Sequence, residues 1–314
     1  MTQTLPHDET AAGADDGREP VVSLRGVELS FAGVKALRGV DLDVHDGELF
    51  AVIGPNGAGK TSIFNVLSGV YRPQSGSVRF LGREILGERP HRIAAMGMAR
   101  TFQNIELFAN LDVVDNLMLG RHHALGYGWP SAVAWLGRAR RAEIRNRREV
   151  EEIIDFLEIE AYRQLPVGML PYGIQKRIEL GRALAMDPRL LLLDEPVAGM
   201  NGEETEDMAR FVLEVRDELG IPMILVEHDM GLVMDLADRV MAMDFGQPIT
   251  TGTPREVQDH PGVVAAYLGV GDEVPSTGSG SGEPGSGSGE PGSGSGEPGS
   301  GSGPSTGSGI EDHA

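Results

Sequence analysis

Residues 54–61 read "GPNGAGKT". Four residues separate Gly54 from Gly59, and Lys60 and Thr61 follow at once. An apolar run, "LFAVI" (49–53), leads in, and "SIFNVLSGV" (62–70) leads out with the look of a helix. The order is strand, tight loop, helix. Gly54, Gly57 and Gly59 let successive backbone N–H groups turn inward around an anion. The helix that follows adds the positive end of its dipole. Lys60 supplies a compact charge for outer phosphates, and the Thr61 hydroxyl is the expected ligand for Mg²⁺. The stretch predicts a phosphate loop in an α/β domain.

Two later runs fit the same domain. "RLLLLDEP" (189–196) and "PMILVEHD" (222–229) are nearly continuous apolar segments that end in charge, the pattern of strands covered on both faces. Asp194, at the end of the first, is placed to hold Mg²⁺ directly or through water. Glu195 points to the other face and can orient an attacking water, and general-base help of this kind is worth about 10²–10⁴ in rate. His228 ends the next strand, within reach of a terminal phosphate. "VVSLRGVELSF" (21–31), "RGVDLDVHDGELFAVIG" (38–54) and "GSVRFLG" (76–82) read as strands and turns. In "AEIRNRREVEEIIDFLEI" (142–159), Ile144, Val150, Ile153, Ile154 and Leu157 fall at helical spacing on a charged background. Alternating strands and helices predict a parallel core sheet, with helices inserted between about residues 105 and 185.

Composition excludes several classes. The 314 residues contain no cysteine, so disulfides, thiolate zinc sites and iron–sulfur clusters are out. The net charge is −20. The first twenty residues carry −4, and residues from Gly271 onward carry −7 with no Lys or Arg, which leaves −9 for the rest. A binder of nucleic-acid backbone shows a basic face instead, so no nucleic-acid partner is expected. No apolar run is long enough to cross a membrane, and the polar, acidic start lacks the features of a signal peptide. The chain reads as soluble and cytoplasmic. Residues 1–20 read as disordered. From about 275 to 309 only Gly, Ser, Glu, Pro and Thr occur, with "GSGSGEP" repeated. Such a segment has nothing to bury against its ordering entropy. As a coil of roughly 35 residues it spans about 30–35 Å. The expected organisation is a disordered start (1–20), one domain (21–270) and a disordered tail (271–314).

Taken in order, the phosphate loop, "RTFQN" (100–104), "LPYGI" (170–174), "LLLLDEP", "AGMN" (198–201) and "LVEHD" (225–229) resemble the nucleotide-binding subunit of an ABC transporter. The resemblance covers about residues 21–270. It implies a phosphate-loop ATPase of the ABC type: a mostly parallel core sheet, an antiparallel β subdomain and a helical signature subdomain. It implies ATP and Mg²⁺ as cofactors. Gly54, Pro55, Asn56, Gly57, Ala58, Gly59, Lys60, Thr61 and Ser62 match the phosphate-binding set. Phe31, in "LSFAGVKAL" (29–37), matches the aromatic residue that stacks on adenine. Gln103 matches the glutamine that senses Mg²⁺ and signals to the membrane partner, so Thr61, Gln103 and Asp194 form the expected metal set. Glu195 matches the catalytic base and His228 the switch histidine. Residues 198–201 match the loop that crosses to a second subunit.

The family signature is usually "LSGGQ". Here Leu170, Pro171, Tyr172, Gly173 and Ile174 stand on those places. Pro171 offers neither a hydroxyl nor an N–H to a phosphate. Tyr172 and Gly173 keep their N–H groups, and the helix start at Ile174–Gln175 keeps its dipole, so the loop can grip phosphate with backbone. The tyrosine, with "RTFQNIELF" (100–108), "EHDM" (227–230) and a closing "AYLG" (266–269), resembles the LivG-type subunits of importers for branched-chain amino acids and related small solutes. That resemblance implies a second ABC ATPase (a LivF-type relative or a copy of this chain), two membrane permease subunits, and indirectly an external solute-binding protein. It places the chain at the cytoplasmic face of the cell membrane. Residues 103–118 are where the family docks a permease loop, with Ile105, Leu107 and Phe108 either exposed to that partner or in the core. Trp129 and Trp135 read as packing residues and His122–His123 as solvated. Rival readings are an exporter ATPase of the lipopolysaccharide-transport type, a non-transport ABC ATPase of repair or translation, and a small-molecule kinase.

Overall fold

The computed structural model describes residues 19–101, 105–121 and 138–268. Gln103, His122, His123, Trp129 and Trp135 lie outside the described residues, as do residues 1–18 and the whole of 271–314.

Two sheets carry the domain. The first holds β1 (Val22–Phe31), β2 (Val34–Val44), β4 (Ser75–Phe80) and β5 (Arg83–Glu84) in the order β2-β1-β4-β5, all antiparallel. Its alternation is visible in β1: Val22 and Leu24 are buried, then Val27 and Leu29. The pairing with β2 shifts register between Leu24 and Val27. An extra residue there changes the phase of the alternation, so both halves of β1 bury apolar side chains.

The second sheet has six strands in the order β10-β9-β3-β8-β7-β6. They are β3 (Leu49–Ile53), β6 (Met98–Arg100), β7 (Leu190–Asp194), β8 (Met223–Val226), β9 (Arg239–Asp244) and β10 (Gln247–Gly252). All neighbours are parallel except β10, which runs antiparallel to β9 at the edge. Every residue of β3, β7 and β8 is buried. Alternate residues of one strand enter different cores. Leu191, Leu193 and Leu225 join the core on one face, and Leu190, Leu192 and Ile224 join the core on the other. That is why these strands read as unbroken apolar runs. Each such side chain, taken fully out of water, stabilises by about 1.5–3 kcal/mol.

On the first face lie α3 (Val113–Gly120), α4 (Arg138–Phe156), α5 (Tyr172–Leu184), α6 (Gly202–Asp217) and α7 (Met230–Leu236). Leu117, Val150, Ile154 and Ile178 bring α3, α4 and α5 into one core, so the inserted helical region packs as expected. On the second face α1 (Lys60–Leu67) and the antiparallel sheet meet through Ile63, Phe64, Leu24 and Val78. The sequence reading had missed β6, β9 and β10. It does not separate β5, α6 or α7 either, nor α2 (Pro90–Ala95), α8 (Pro254–Gln258) and α9 (Pro261–Leu268). The helix α5 begins at Tyr172, two residues ahead of the expected start at Ile174, because Pro171 carries an extended ψ of 150° that suits an N-cap.

Candidate active site

The phosphate loop sits where β3 turns into α1. Gly54 leaves the strand at φ 149°, and a Cβ added there would lie 2.2 Å from the backbone oxygen of Met243 on β9. Only glycine fits so close to a neighbouring strand. Gly59 caps α1 at φ 106° with no side-chain hydrogen bond to the first turn, which leaves those N–H groups for an anion. Ala58 is buried, while Asn56, Gly57 and Thr61 are exposed. Pro55 and Ser62 are partly exposed. Lys60 is buried, and its Nζ donates to the carbonyl oxygens of Gly54 at 2.5 Å and Pro55 at 3.2 Å. Burial lowers the Lys60 ammonium below the usual lysine range. The negative charges of Glu195, Asp194 and Glu227 pull the other way.

The two carboxylates of β7 diverge. Asp194 is 4% exposed and turns toward β6, where its Oδ2 accepts from Arg100 at 2.7 Å. Arg100 also donates to Asn65 Oδ1 at 2.7 Å and lies over the Phe64 ring. Breaking a buried pair of this kind by removing one partner costs about 3–5 kcal/mol. Glu195 leaves the strand in the left-handed region, at φ 48°. A non-glycine residue held there costs about 1–3 kcal/mol. Its own N–H is fixed to the Val226 carbonyl at 2.9 Å. This turn carries the carboxylate to His228, whose Nδ1 lies 4.0 Å from Glu195 Oε1. His228 is exposed, Glu195 mostly sheltered.

Sequence reading missed a third carboxyl. Glu227 is fully buried, with its Oε2 3.8 Å from His228 Nδ1. Burial pushes it above the usual carboxylate range, against the hydrogen bonds it accepts from the His228 and Val197 N–H groups. The letter is visible in "LVEHD", but its partners are backbone N–H groups, which leave no mark on residue type. Arg100, within the quoted "RTFQN", was missed likewise.

Three more expectations can be placed. Phe31 ends β1 half-exposed and is buttressed edge-to-face by Tyr71, centroid to centroid 4.9 Å. Tyr172 and Gly173 open α5, whose first turn has no side-chain cap. In contrast, α3, α6, α7 and α8 are closed by Asp112, Asn201, Asp229 and Thr253. Of the apolar residues at 105–108, Leu107 packs against the core and Phe108 is 57% exposed.

The family described as ABC transporter matches residues 37–198. The chain is 37% identical over 250 residues to the high-affinity branched-chain amino acid transport ATP-binding protein BraF of Pseudomonas aeruginosa, covering 80% of this chain and 98% of that one. The chain belongs to the LivG-type ATP-binding subunits of ABC transporters. LivG of Escherichia coli K12, a high-affinity branched-chain amino acid transport ATP-binding protein, is 35% identical over 251 residues, covering 80% and 98% of the two chains. A second family match, described as branched-chain amino acid ATP-binding cassette transporter, covers residues 247–273, which include β10, α8 and α9. The ADP conformation of an ATP-binding cassette from an ABC transporter superposes with a TM-score of 0.70 at 28% identity, covering 80% of this chain and 100% of that one. This LivG-type subunit therefore binds nucleotide and hydrolyses ATP as part of a transporter. Among its described residues no helix is long and apolar enough to cross a membrane.

Proposed function

We propose that the chain powers an importer for branched-chain amino acids or related small solutes, with Glu195 and His228 as its hydrolytic pair. The observation that carries this is the meeting of Glu195 and His228 at 4.0 Å, just past the ends of the adjacent strands β7 and β8. Gly54 to Ser62 cradle the phosphates, and Phe31 stacks on adenine. A water attacks the γ-phosphorus while Glu195 takes its proton. The bond to the bridging oxygen breaks, and ADP leaves with inorganic phosphate. His228 holds the γ-phosphate in line.

Mg²⁺ fits the donors present. Thr61 is exposed beside the loop, and Asp194 keeps a second oxygen beyond the one held by Arg100. Among the described residues no group of three or more His, Cys, Asp or Glu is placed to hold a metal unaided. A magnesium ion bound mostly by phosphate and water needs only one or two protein oxygens. Thr61 and Asp194 supply these, with Gln103, outside the described residues, as the third expected donor. When bound there, the ion would neutralise charge on the phosphoryl group being transferred.

Two cassettes sandwich ATP head to tail. The partner's phosphate loop faces Tyr172 and Gly173, and the uncapped α5 N-terminus supplies N–H groups in place of the lost serine. The partner is a LivF-type relative or a second copy. Two permease subunits dock near Phe108 at the cytoplasmic face of the membrane, and an external solute-binding protein delivers cargo to them.

The test is Glu195→Gln, purified with ATP from detergent-solubilised native membranes and assayed for turnover. The expected result is almost no steady-state hydrolysis, with two polytopic permease subunits and a second ATPase retained. Normal turnover would remove Glu195 from the role of base. Ribosomal or repair proteins without a membrane partner would overturn the transport reading.

A further inference from the structure

Glu227 is the one carboxyl at the site that the hydrolytic reading leaves without a task. It closes β8 and is wholly buried. Oε1 accepts from the Val197 N–H at 3.4 Å, and Oε2 accepts from the His228 N–H at 3.1 Å. Val197 is the residue before the 198–201 loop. The carbonyl of Ala198 in turn accepts from the Tyr172 hydroxyl at 3.0 Å. One chain of groups thus runs from the signature helix through residues 197–198 and Glu227 to the backbone of His228.

The residue type matters. Two N–H groups from segments far apart in the chain, Val197 and His228, must be satisfied here by one side chain. A hydroxyl has a single oxygen, whereas a carboxyl has two oxygens that point to different partners. An unmet buried donor costs about 1–3 kcal/mol, so both segments are drawn onto Glu227.

We propose that Glu227 is a positioning residue for ATP hydrolysis, holding the 197–201 loop and His228 in one register so that neither moves without the other. This rests on the reading of Glu195 and His228 given above. Tyr172 extends the tie to the signature helix. In a head-to-tail pair that helix serves the other nucleotide, so Glu227 joins the two sites through one chain.

The experiment compares full-length Glu227→Gln, Glu227→Ala and Glu195→Gln for kcat, KM and MgATP affinity. A small misplacement of a reacting group costs up to about a hundredfold in rate. Glu227→Ala should therefore lose about a hundredfold in kcat. Glu227→Gln keeps one acceptor oxygen and should lose about tenfold, with KM and MgATP affinity within about twofold of wild type. If the alanine form does not fold, the isosteric glutamine form decides. Wild-type kcat in Glu227→Gln, or a loss of MgATP affinity matching the loss of rate, overturns the proposal. Glu195→Gln separates the two failures. If it is inactive while Glu227→Gln is normal, only the Glu227 proposal falls. If Glu195→Gln itself turns over normally, the hydrolytic reading falls first.

Discussion

The phosphate loop and the signature loop do related work by opposite means. Both open a helix whose first turn lacks a side-chain cap, α1 after Gly59 and α5 after Pro171. The phosphate loop is fixed by its own backbone against rigid backbone: Gly54 faces the Met243 carbonyl, which cannot swing aside. The signature loop is fixed through side chains, one of its own and one from α6. Tyr172 reaches Ala198, and Gly173 faces the carboxylate of Glu204 on α6. The first arrangement tolerates no change. The second has lost the serine, a glycine and the glutamine of the usual signature and still presents its helix end.

Gly54→Ala tests the rigid half and should have the largest effect. The added methyl meets a backbone oxygen at 2.2 Å, and the φ of 149° is itself strained for alanine. Overpacking and backbone strain together should cost about 3 kcal/mol or more. Urea unfolding should show that loss, and MgATP affinity should vanish with it. A variant of wild-type stability that still binds MgATP would mean the loop is not held as rigidly as its contacts indicate.

Tyr172→Phe probes the adaptable half. It deletes one hydroxyl that donates to Ala198 from an exposed position. Water can replace part of that bond, so stability should fall by about 0.5–1.5 kcal/mol at most. Turnover should fall several-fold while MgATP affinity holds, since the bond lies away from the chain's own phosphate loop. Unchanged turnover would reduce Tyr172 to a packing residue.

The same contrast explains what could be read from the sequence. The phosphate loop is local: its geometry is written in eight consecutive residues, 54–61, and the flanking strand and helix follow from apolar patterning. The runs ending at Asp194 and Val226 were legible because burial on both faces leaves no polar gaps. The strand β6 was not, since three residues, Met98–Arg100, are too few to show a period. Nor was the tie between Tyr172 and Ala198, which lie 26 residues apart and meet only because α5 and the end of β7 pack on one core. Glu227 was legible as a letter but not as a partner, because what it holds is backbone. The family resemblance supplied the order of the motifs; packing supplied which of them touch.

Gly173→Ala is the sharpest use of the comparison, because it makes the same chemical change as Gly54→Ala and should do almost nothing to stability. The new Cβ would lie 2.5 Å from Glu204 Oε1, a contact as prohibitive on paper as many in the phosphate loop. But that oxygen is the far end of a flexible side chain. If Glu204 swings away, it gives up the bond that its Oε2 accepts from the Asn201 N–H at 3.1 Å, one half of the capping box on α6. Losing part of a cap costs about 0.5–2 kcal/mol, and the exposed N–H finds water. Against this, alanine is favoured over glycine in a helix by about 1 kcal/mol. The two terms nearly cancel, so the urea midpoint should correspond to a change within about 1 kcal/mol of wild type, with MgATP affinity intact. A loss as large as that of Gly54→Ala would show that the signature loop is as rigid as the phosphate loop, and that its altered sequence is tolerated for some reason other than flexible neighbours.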